Sequence, residues 1–167
     1  YKFPNATEGY DVLLEIVEIT NTTVVQIDDD TSGPDSTPEF LQSELTFSGD
    51  AGSVPGITYK FTIVDAGTLT PSATIFRIGG TTWDCDGTDE YQESVRYYNP
   101  SAYGLDNPTS LTQDIYPDGA GITAGTVTYS GFSTNTILRS YFQFLSNTFT
   151  IRMQLKKSTS GTHTRLY

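Results

Sequence analysis

Regular alternation of apolar and polar residues is the feature that most constrains the fold of this chain. Every second residue from Ile57 to Ile63 is apolar, and the residues between them are Thr and Lys. Residues 148–157, TFTIRMQLKK, repeat the pattern with Phe, Ile, Met and Leu at alternate positions. A period of two is typical of a strand with one face in a core and the other in solvent. The alternation therefore predicts half-buried antiparallel strands.

About ten such segments follow one another, rich in Thr, Tyr, Val, Ile and Phe, which favour strands. Clusters of Gly, Pro, Asp and Ser separate them and are typical of turns. We expect a tight hairpin at Ser146–Asn147 and no more than a turn or two of helix near residues 38–44. The pattern predicts an all-β fold, a single antiparallel β-sandwich that is jelly-roll-like and has about ten strands.

The chain length, 167 residues, is that of one ordinary domain. We therefore expect one β-sandwich over residues 1–167, with an extended N-terminal arm over residues 1–10. Residues 158–167 are polar and rich in Gly and Thr, so we expect a C-terminal tail there. As an alternative, either terminal segment pairs with the sheet edge of a neighbouring copy.

The net charge is −11, from 20 acidic and 9 basic residues. Nucleic acids and anionic membrane surfaces attract cationic proteins, so we expect neither as a partner, and no apolar run approaches the ~20 residues of a membrane span. Residues 1–95 carry seventeen acids and three cations, whereas residues 96–167 carry three acids and six cations. This asymmetry favours head-to-tail docking of copies. The alternative is that both halves fold into one body, in which the electrostatic fields of the two halves average out.

The stretch WDCDGTDEYQE, residues 83–93, holds the only Trp, the only Cys and five carboxylates. Calcium prefers several carboxylate and carbonyl oxygens in a turn, and a Gly at position 87 permits a tight one. Ca²⁺ is therefore the expected cofactor, although the spacing departs from the EF-hand pattern. The alternative is a solvated acidic loop. The candidate metal ligands are Asp84, Asp86, Asp89 and Glu90, and a second acidic group, Asp28, Asp29, Asp30 and Asp35, is compositional only.

Aromatic residues are concentrated between positions 83 and 116. Trp and Tyr combine an apolar ring with a polar tip, which suits the flat platforms that bind sugars. As an alternative, the same residues pack in the core or in a subunit contact, since Trp is highly buried on average. The candidate ligand-binding residues are Trp83, Tyr91, Tyr97, Tyr98 and Tyr103.

We expect no enzymatic activity. The only histidine, His163, falls in the predicted tail, and a catalytic base must be held rigidly near its substrate. A zinc site lacks ligands, because the chain has one His and one Cys. Paired carboxylates of a glycosidase need the opposite walls of a rigid cleft, and the acids here lie in predicted loops.

Together these features predict a non-enzymatic structural protein that assembles with copies of itself and is stabilised by calcium. It would be a subunit of an extracellular filament or appendage, or a virion fibre or decoration protein. We expect a secreted or virion-surface location, because Tyr1 in place of Met favours a processed chain. The alternative is a carbohydrate-binding or adhesion β-sandwich module with glycans as partners.

Overall fold

Antiparallel strands make up nearly all regular structure in the computed structural model, which describes residues 1–28, 41–128 and 133–166. These residues contain thirteen strands rather than about ten, and one short 3₁₀ helix, Thr136–Leu138. The strands in chain order are β1 (Lys2–Thr7), β2 (Tyr10–Thr20), β3 (Thr22–Gln26), β4 (Glu44–Gly49), β5 (Gly56–Asp65), β6 (Phe76–Thr82), β7 (Tyr91–Tyr98), β8 (Ala102–Leu105), β9 (Thr112–Tyr116), β10 (Gly119–Thr123), β11 (Ser140–Ser146), β12 (Thr148–Lys157) and β13 (Gly161–Leu166).

The strands form three sheets, in an arrangement consistent with the predicted β-sandwich. Sheet I has seven strands in the order β1-β2-β5-β12-β7-β10-β9. Sheet II has the order β13-β4-β3, and sheet III has the order β6-β11-β8. Within the described ranges no helix is long and apolar enough to cross a membrane.

The two segments with the clearest alternation pair with each other near the middle of sheet I. In the register of β5 and β12, Phe61 lies opposite Phe149 and Tyr59 lies opposite Ile151. The rings of Phe61 and Phe149 stack with their centroids 4.6 Å apart. The core continues into the smaller sheets through buried residues such as Phe47 on β4 and Phe144 on β11.

The hairpin predicted at Ser146–Asn147 is wrong. Strand β11 lies in sheet III and β12 in sheet I, so Asn147 is a corner between layers. Its side-chain amide donates to the carbonyl of Ser72 at 2.6 Å, and its own carbonyl accepts from the amide of Ile63 at 2.8 Å. These bonds to two other segments hold the chain in the corner.

Both terminal segments are strands of this same chain. Residues 2–7 form β1, which pairs with β2, in place of a free arm. Residues 161–166 form β13, which pairs with β4 along its whole length, in place of a tail. The hydroxyls of Thr46 and Thr164 lie 2.9 Å apart across that pairing. The tail was predicted from the polar composition of residues 158–167. Thr is also common on the solvent face of a strand, so polar composition does not exclude a strand.

Two further strands, β8 and β10, lie in segments whose glycines indicated turns. In β10 the glycines serve close packing, because a Cβ at Gly121 would lie 2.6 Å from the carbonyl oxygen of Val95 on β7. The segment GTVTYSG, residues 125–131, also has the alternation that predicts a strand; its residues 125–128 form no strand, and residues 129–131 lie outside the described part. Of the expected helix, residues 38–40 lie outside it, residues 41–43 are not helical, and Glu44 begins β4.

Candidate functional site

The 83–93 stretch is a tight turn folded back on the start of β7. Gly87 forms a β-bridge with Gln92, and the amide of Glu93 donates to the carbonyl of Asp86 at 3.0 Å. A Cβ at position 87 would lie 2.4 Å from the carbonyl oxygen of Gly125 and 3.0 Å from that of Tyr91. The glycine is therefore required mainly by the close approach of the segment at Gly125.

Two carboxylates of this turn are buried against one arginine from β13. Asp86 and Glu93 are 1% and 2% exposed. Nη2 of Arg165 lies 2.7 Å from Oδ1 of Asp86, and its Nε lies 2.5 Å from Oε1 of Glu93. The amide of Asp86 donates to the second oxygen of Glu93 at 3.1 Å. The guanidinium therefore bridges both acids, and we call these three residues the Arg165 cluster.

Burial and charge in this cluster act in opposite directions on the acids. The pKa of Glu93 is raised to about 8, chiefly by burial and in part by the nearby carboxylate of Asp86, while Arg165 opposes the shift. The two acids outnumber the single guanidinium, so a proton on Glu93 relieves the excess negative charge. Burial, with the same acids, also raises the pKa of the neighbouring Cys85 thiol. Cys85 is therefore unsuited to nucleophilic chemistry.

The candidate calcium ligands do not converge on one point. Asp86 is bound by Arg165, Asp89 and Glu90 are exposed at the tip of the turn, and Asp84 is half-buried with a left-handed φ of 54°. In the chain as described, no group of three or more His, Cys, Asp or Glu side chains is placed to hold a metal ion. Calcium binding stays a prediction. Of the second acidic group, Asp28 is described and Asp29, Asp30 and Asp35 lie outside the described residues.

Two of the five candidate ligand-binding aromatics, Tyr97 and Tyr91, make contacts between sheets. Tyr97 is 1% exposed, and its hydroxyl lies 2.7 Å from both the Thr82 and the Ser140 hydroxyls. Tyr91 packs against His163, with ring centroids 4.7 Å apart, and under the Arg165 guanidinium. Tyr97 thus joins sheets I and III, and Tyr91 joins sheets I and II.

The other three aromatics lie on separate surfaces. Tyr98 lies on sheet I, and the guanidinium of Arg96 is 4.6 Å from its ring centroid. Tyr103 is exposed on β8, where the Gln113 amide donates to its hydroxyl. Trp83 follows β6 at one end of sheet III. The structure therefore does not gather the five predicted residues into one platform.

Trp83 does belong to a polar–aromatic surface that sequence reasoning missed. The Arg139 guanidinium lies 4.6 Å from the Trp83 ring and 4.9 Å from the Tyr141 ring. Asp106 accepts from Arg139 Nε at 2.7 Å and from the Tyr141 hydroxyl at 3.2 Å. Tyr141 pairs with Gly104 on β8, where a Cβ would meet no atom within 4 Å, and both residues line a surface pocket with Tyr103 and Phe142. The only sequence signal was the alternation along β11. It predicts a strand, but it does not indicate that Trp83 and Asp106 lie close to Arg139.

One edge of sheet I leaves core-facing residues uncovered. Strand β1 pairs with β2 only as far as Leu14, whose carbonyl accepts from the amine of Tyr1. Along residues 15–20 the outer edge of β2 has no strand partner among the described residues. Ile16 and Ile19 lie opposite the buried Tyr59 and Ile57, on the core side, yet are 39% and 51% exposed. No segment within residues 1–28, 41–128 and 133–166 therefore covers this part of the core.

The opposite edge of sheet I, strand β9, also has an exposed isoleucine on its core side. Strand β9 pairs only with β10 within the ranges that the structure describes. Ile115 lies opposite Ala120, which is buried, but Ile115 itself is 69% exposed. An isoleucine facing the core side of an unpaired edge is thus found at both ends of the same sheet.

Comparison of the chain with protein-family models, curated proteins and solved structures finds no match.

Proposed function

We propose that this protein is a non-enzymatic structural subunit that assembles with copies of itself. It would form part of an extracellular filament or appendage, or serve as a virion fibre or decoration protein. The observation that carries this proposal is the pair of uncovered edges of sheet I. An unpaired apolar edge is a template for another strand, and proteins that remain monomeric usually protect it with charges, prolines or a covering segment.

Burial of the uncovered side chains supplies a driving force. Full burial of one isoleucine stabilises by about 1.5–3 kcal/mol, so covering the remaining exposed area of Ile16, Ile19 and Ile115 contributes roughly 1 kcal/mol for each. Val17, at the bulge of β2 between Ile16 and Glu18, is also 51% exposed. Backbone hydrogen bonds of an added strand would act in the same direction.

The proposal includes three expectations from the sequence. They are a jelly-roll-like relation between the layers, a secreted or virion-surface location, and stabilisation by Ca²⁺. The terminal strands β1 and β13 also lie at sheet edges, where exchange between copies is open to them.

Charge substitution at the two edges tests the proposal. Light scattering after gel filtration, together with negative-stain microscopy, should show large species for the parent protein. Ile19→Lys and Ile115→Lys should each give monomers, because a buried ammonium without a partner opposes the contact. Leu69→Lys is the matched control, since Leu69 is 72% exposed in the connection between β5 and β6. A parent protein that stays monomeric at millimolar concentration, or edge variants that assemble like the parent, would contradict the proposal.

A glycan-binding module is the second candidate, and the surface around Trp83 favours it. Two rings, a guanidinium and a carboxylate supply the stacking and hydrogen-bonding groups that sugars use, and one of the rings, Tyr141, also lines a surface pocket. Trp83 is the only tryptophan, so its fluorescence reports on this surface alone. Added polysaccharide should shift the emission, Trp83→Ala should lose binding, and Tyr98→Ala should retain it. Equal binding by Trp83→Ala would exclude this surface.

A further inference from the structure

We infer that assembly joins the two edges of sheet I, with β9 of one copy paired antiparallel to residues 15–20 of β2 in the next copy. This inference rests on the proposed self-assembly and adds which surfaces meet. The large sheet then continues from copy to copy, and the isoleucines at each edge cover one another.

Strand direction supports this arrangement. Every neighbouring pair in sheet I is antiparallel, and five pairings separate β2 from β9 in the order of the sheet. Strands β2 and β9 therefore run in opposite directions. A second copy placed beside the first in the same orientation presents its β9 antiparallel to β2. Such a contact uses two different surfaces and repeats without closing on itself, as in a filament.

The two edges also match in the sides to which residues point. Pairing Ile115 with Ile19 places both on the core side and sets three residues of β9, 114–116, opposite residues 18–20 in the free stretch of β2. The same register sets Asp114 against Thr20 and Tyr116 against Glu18, so no two carboxylates lie directly opposite.

The charges on both edges are already compensated within each copy. Lys156 lies 2.9 Å from Asp114, and Arg152 lies 3.0 Å from Glu18. A two-fold contact of β2 with β2 would instead bring Glu15 and Glu18 of one copy against those of the other. Like charges in cross-strand positions are destabilising, so the charges favour the head-to-tail contact.

Strand β1 does not block the contact. It occupies the edge of β2 only as far as Leu14. In the register above, the turn at Pro117–Asp118 lies beside Ile16 and Val17, and the chain returns there into β10. The incoming hairpin therefore ends before it meets Tyr1.

Disulfide trapping between copies tests the inference. Directly opposite residues of antiparallel strands have Cα atoms about 4.5–5.5 Å apart, which is within disulfide range. The buried Cys85 serves as an unreactive background. Under mild oxidation, a mixture of Ile19→Cys and Ile115→Cys proteins should give one covalent dimer, and each protein alone should give none. The double variant should give a ladder of oligomers, and Leu69→Cys mixed with either single variant should not cross-link.

The outcomes separate this inference from the proposed function. Dimers of Ile19→Cys alone, from a protein that still assembles, would show a two-fold contact and overturn the inference while self-assembly stands. No cross-link in the mixture, again with assembly intact, would overturn it as well. A parent protein that forms no assembly would refute the proposed function, and the inference would be refuted with it.

Discussion

Arg165 donates a 2.7 Å hydrogen bond to the buried carboxylate of Asp86, although the two residues are 79 positions apart. The same guanidinium holds Glu93 at 2.5 Å. The last strand of the fold is therefore fixed to sheet I through charge as well as through its pairing with β4.

Removal of the guanidinium should strongly destabilise the protein. Arg165→Met leaves Asp86 and Glu93 buried without a cation, and breaking a buried ion pair in this way costs about 3–5 kcal/mol. The free energy of unfolding from urea titration measures the loss. Lys60→Met, which breaks the exposed pair with Glu15, is the control and should cost less than about 1 kcal/mol.

A triple variant shows whether the loss comes from charge. Arg165→Met combined with Asp86→Asn and Glu93→Gln removes all three charges and should recover much of the stability. An Arg165→Met protein as stable as the parent would show that the cluster contributes nothing.

The contribution of Glu93 to stability should fall as pH rises from about 5 to 8.5. The pKa of Glu93 is about 8 in the folded protein and 4.5 in an unperturbed glutamate, so the folded state retains a proton that the unfolded chain releases. This stabilising contribution is complete below pH 4.5 and is lost as pH rises through 8. Asp11, with a pKa lowered to about 2 by Lys2, titrates below this window.

Thermal melts of the parent and of Glu93→Gln across this range measure the effect. The variant should show a flatter dependence of Tm on pH, since Gln does not titrate. Identical profiles for the two proteins would show that Glu93 is not the titrating group.

Tyr97→Phe should cost about 1–3 kcal/mol, because the half-buried hydroxyl of Thr82 and the buried hydroxyl of Ser140 lose a partner that each contacts at 2.7 Å. Urea unfolding should show a lower midpoint with an unchanged m-value. Tyr98→Phe, on the outer face of sheet I, is the control and should change stability little. Equal stability of Tyr97→Phe and the parent would contradict the expected role of this hydroxyl.

Calcium should raise the melting temperature, and EGTA should lower it again, if the sequence-based prediction is correct. Because Arg165 holds Asp86, the response should depend on the exposed Asp89 and Glu90, and Asp89→Asn with Glu90→Gln should abolish it. Glu8→Gln, another exposed acid, is the control. Equal melting temperatures with Ca²⁺ and with EGTA would assign the turn to its alternative, a solvated acidic loop.

Periodicity predicted the strands but not the sheets to which they belong. The alternation from Ile57 to Ile63 correctly identified a strand of the core, because burial of one face acts on consecutive residues. At Asn147 the same kind of pattern predicted a hairpin, yet one residue there carries the chain from sheet III to sheet I. A period of two reports which side chains share a face and carries no information on the neighbouring strand.

The Arg165 cluster was beyond sequence reasoning for a related reason. Its acids and its cation come from segments far apart in the chain, and only the fold brings them together. The alternation of Thr162 and Thr164 with His163 and Arg165 was a local signal for a strand, and the polar composition obscured it. Asp86 was predicted as a calcium ligand, and in the structure its carboxylate is bound by an arginine of the chain itself.

The order of Asp86, Glu93 and Arg165 along the chain has a consequence for folding during synthesis. A nascent chain emerges from the ribosome with Asp86 and Glu93 long before Arg165, which neutralises them. Until β13 has been released, packing around these two acids would leave them without their counter-ion, so this part of the fold must await β13. Products truncated before Gly161 would lack β13 and would be unstable, which exposes them to degradation.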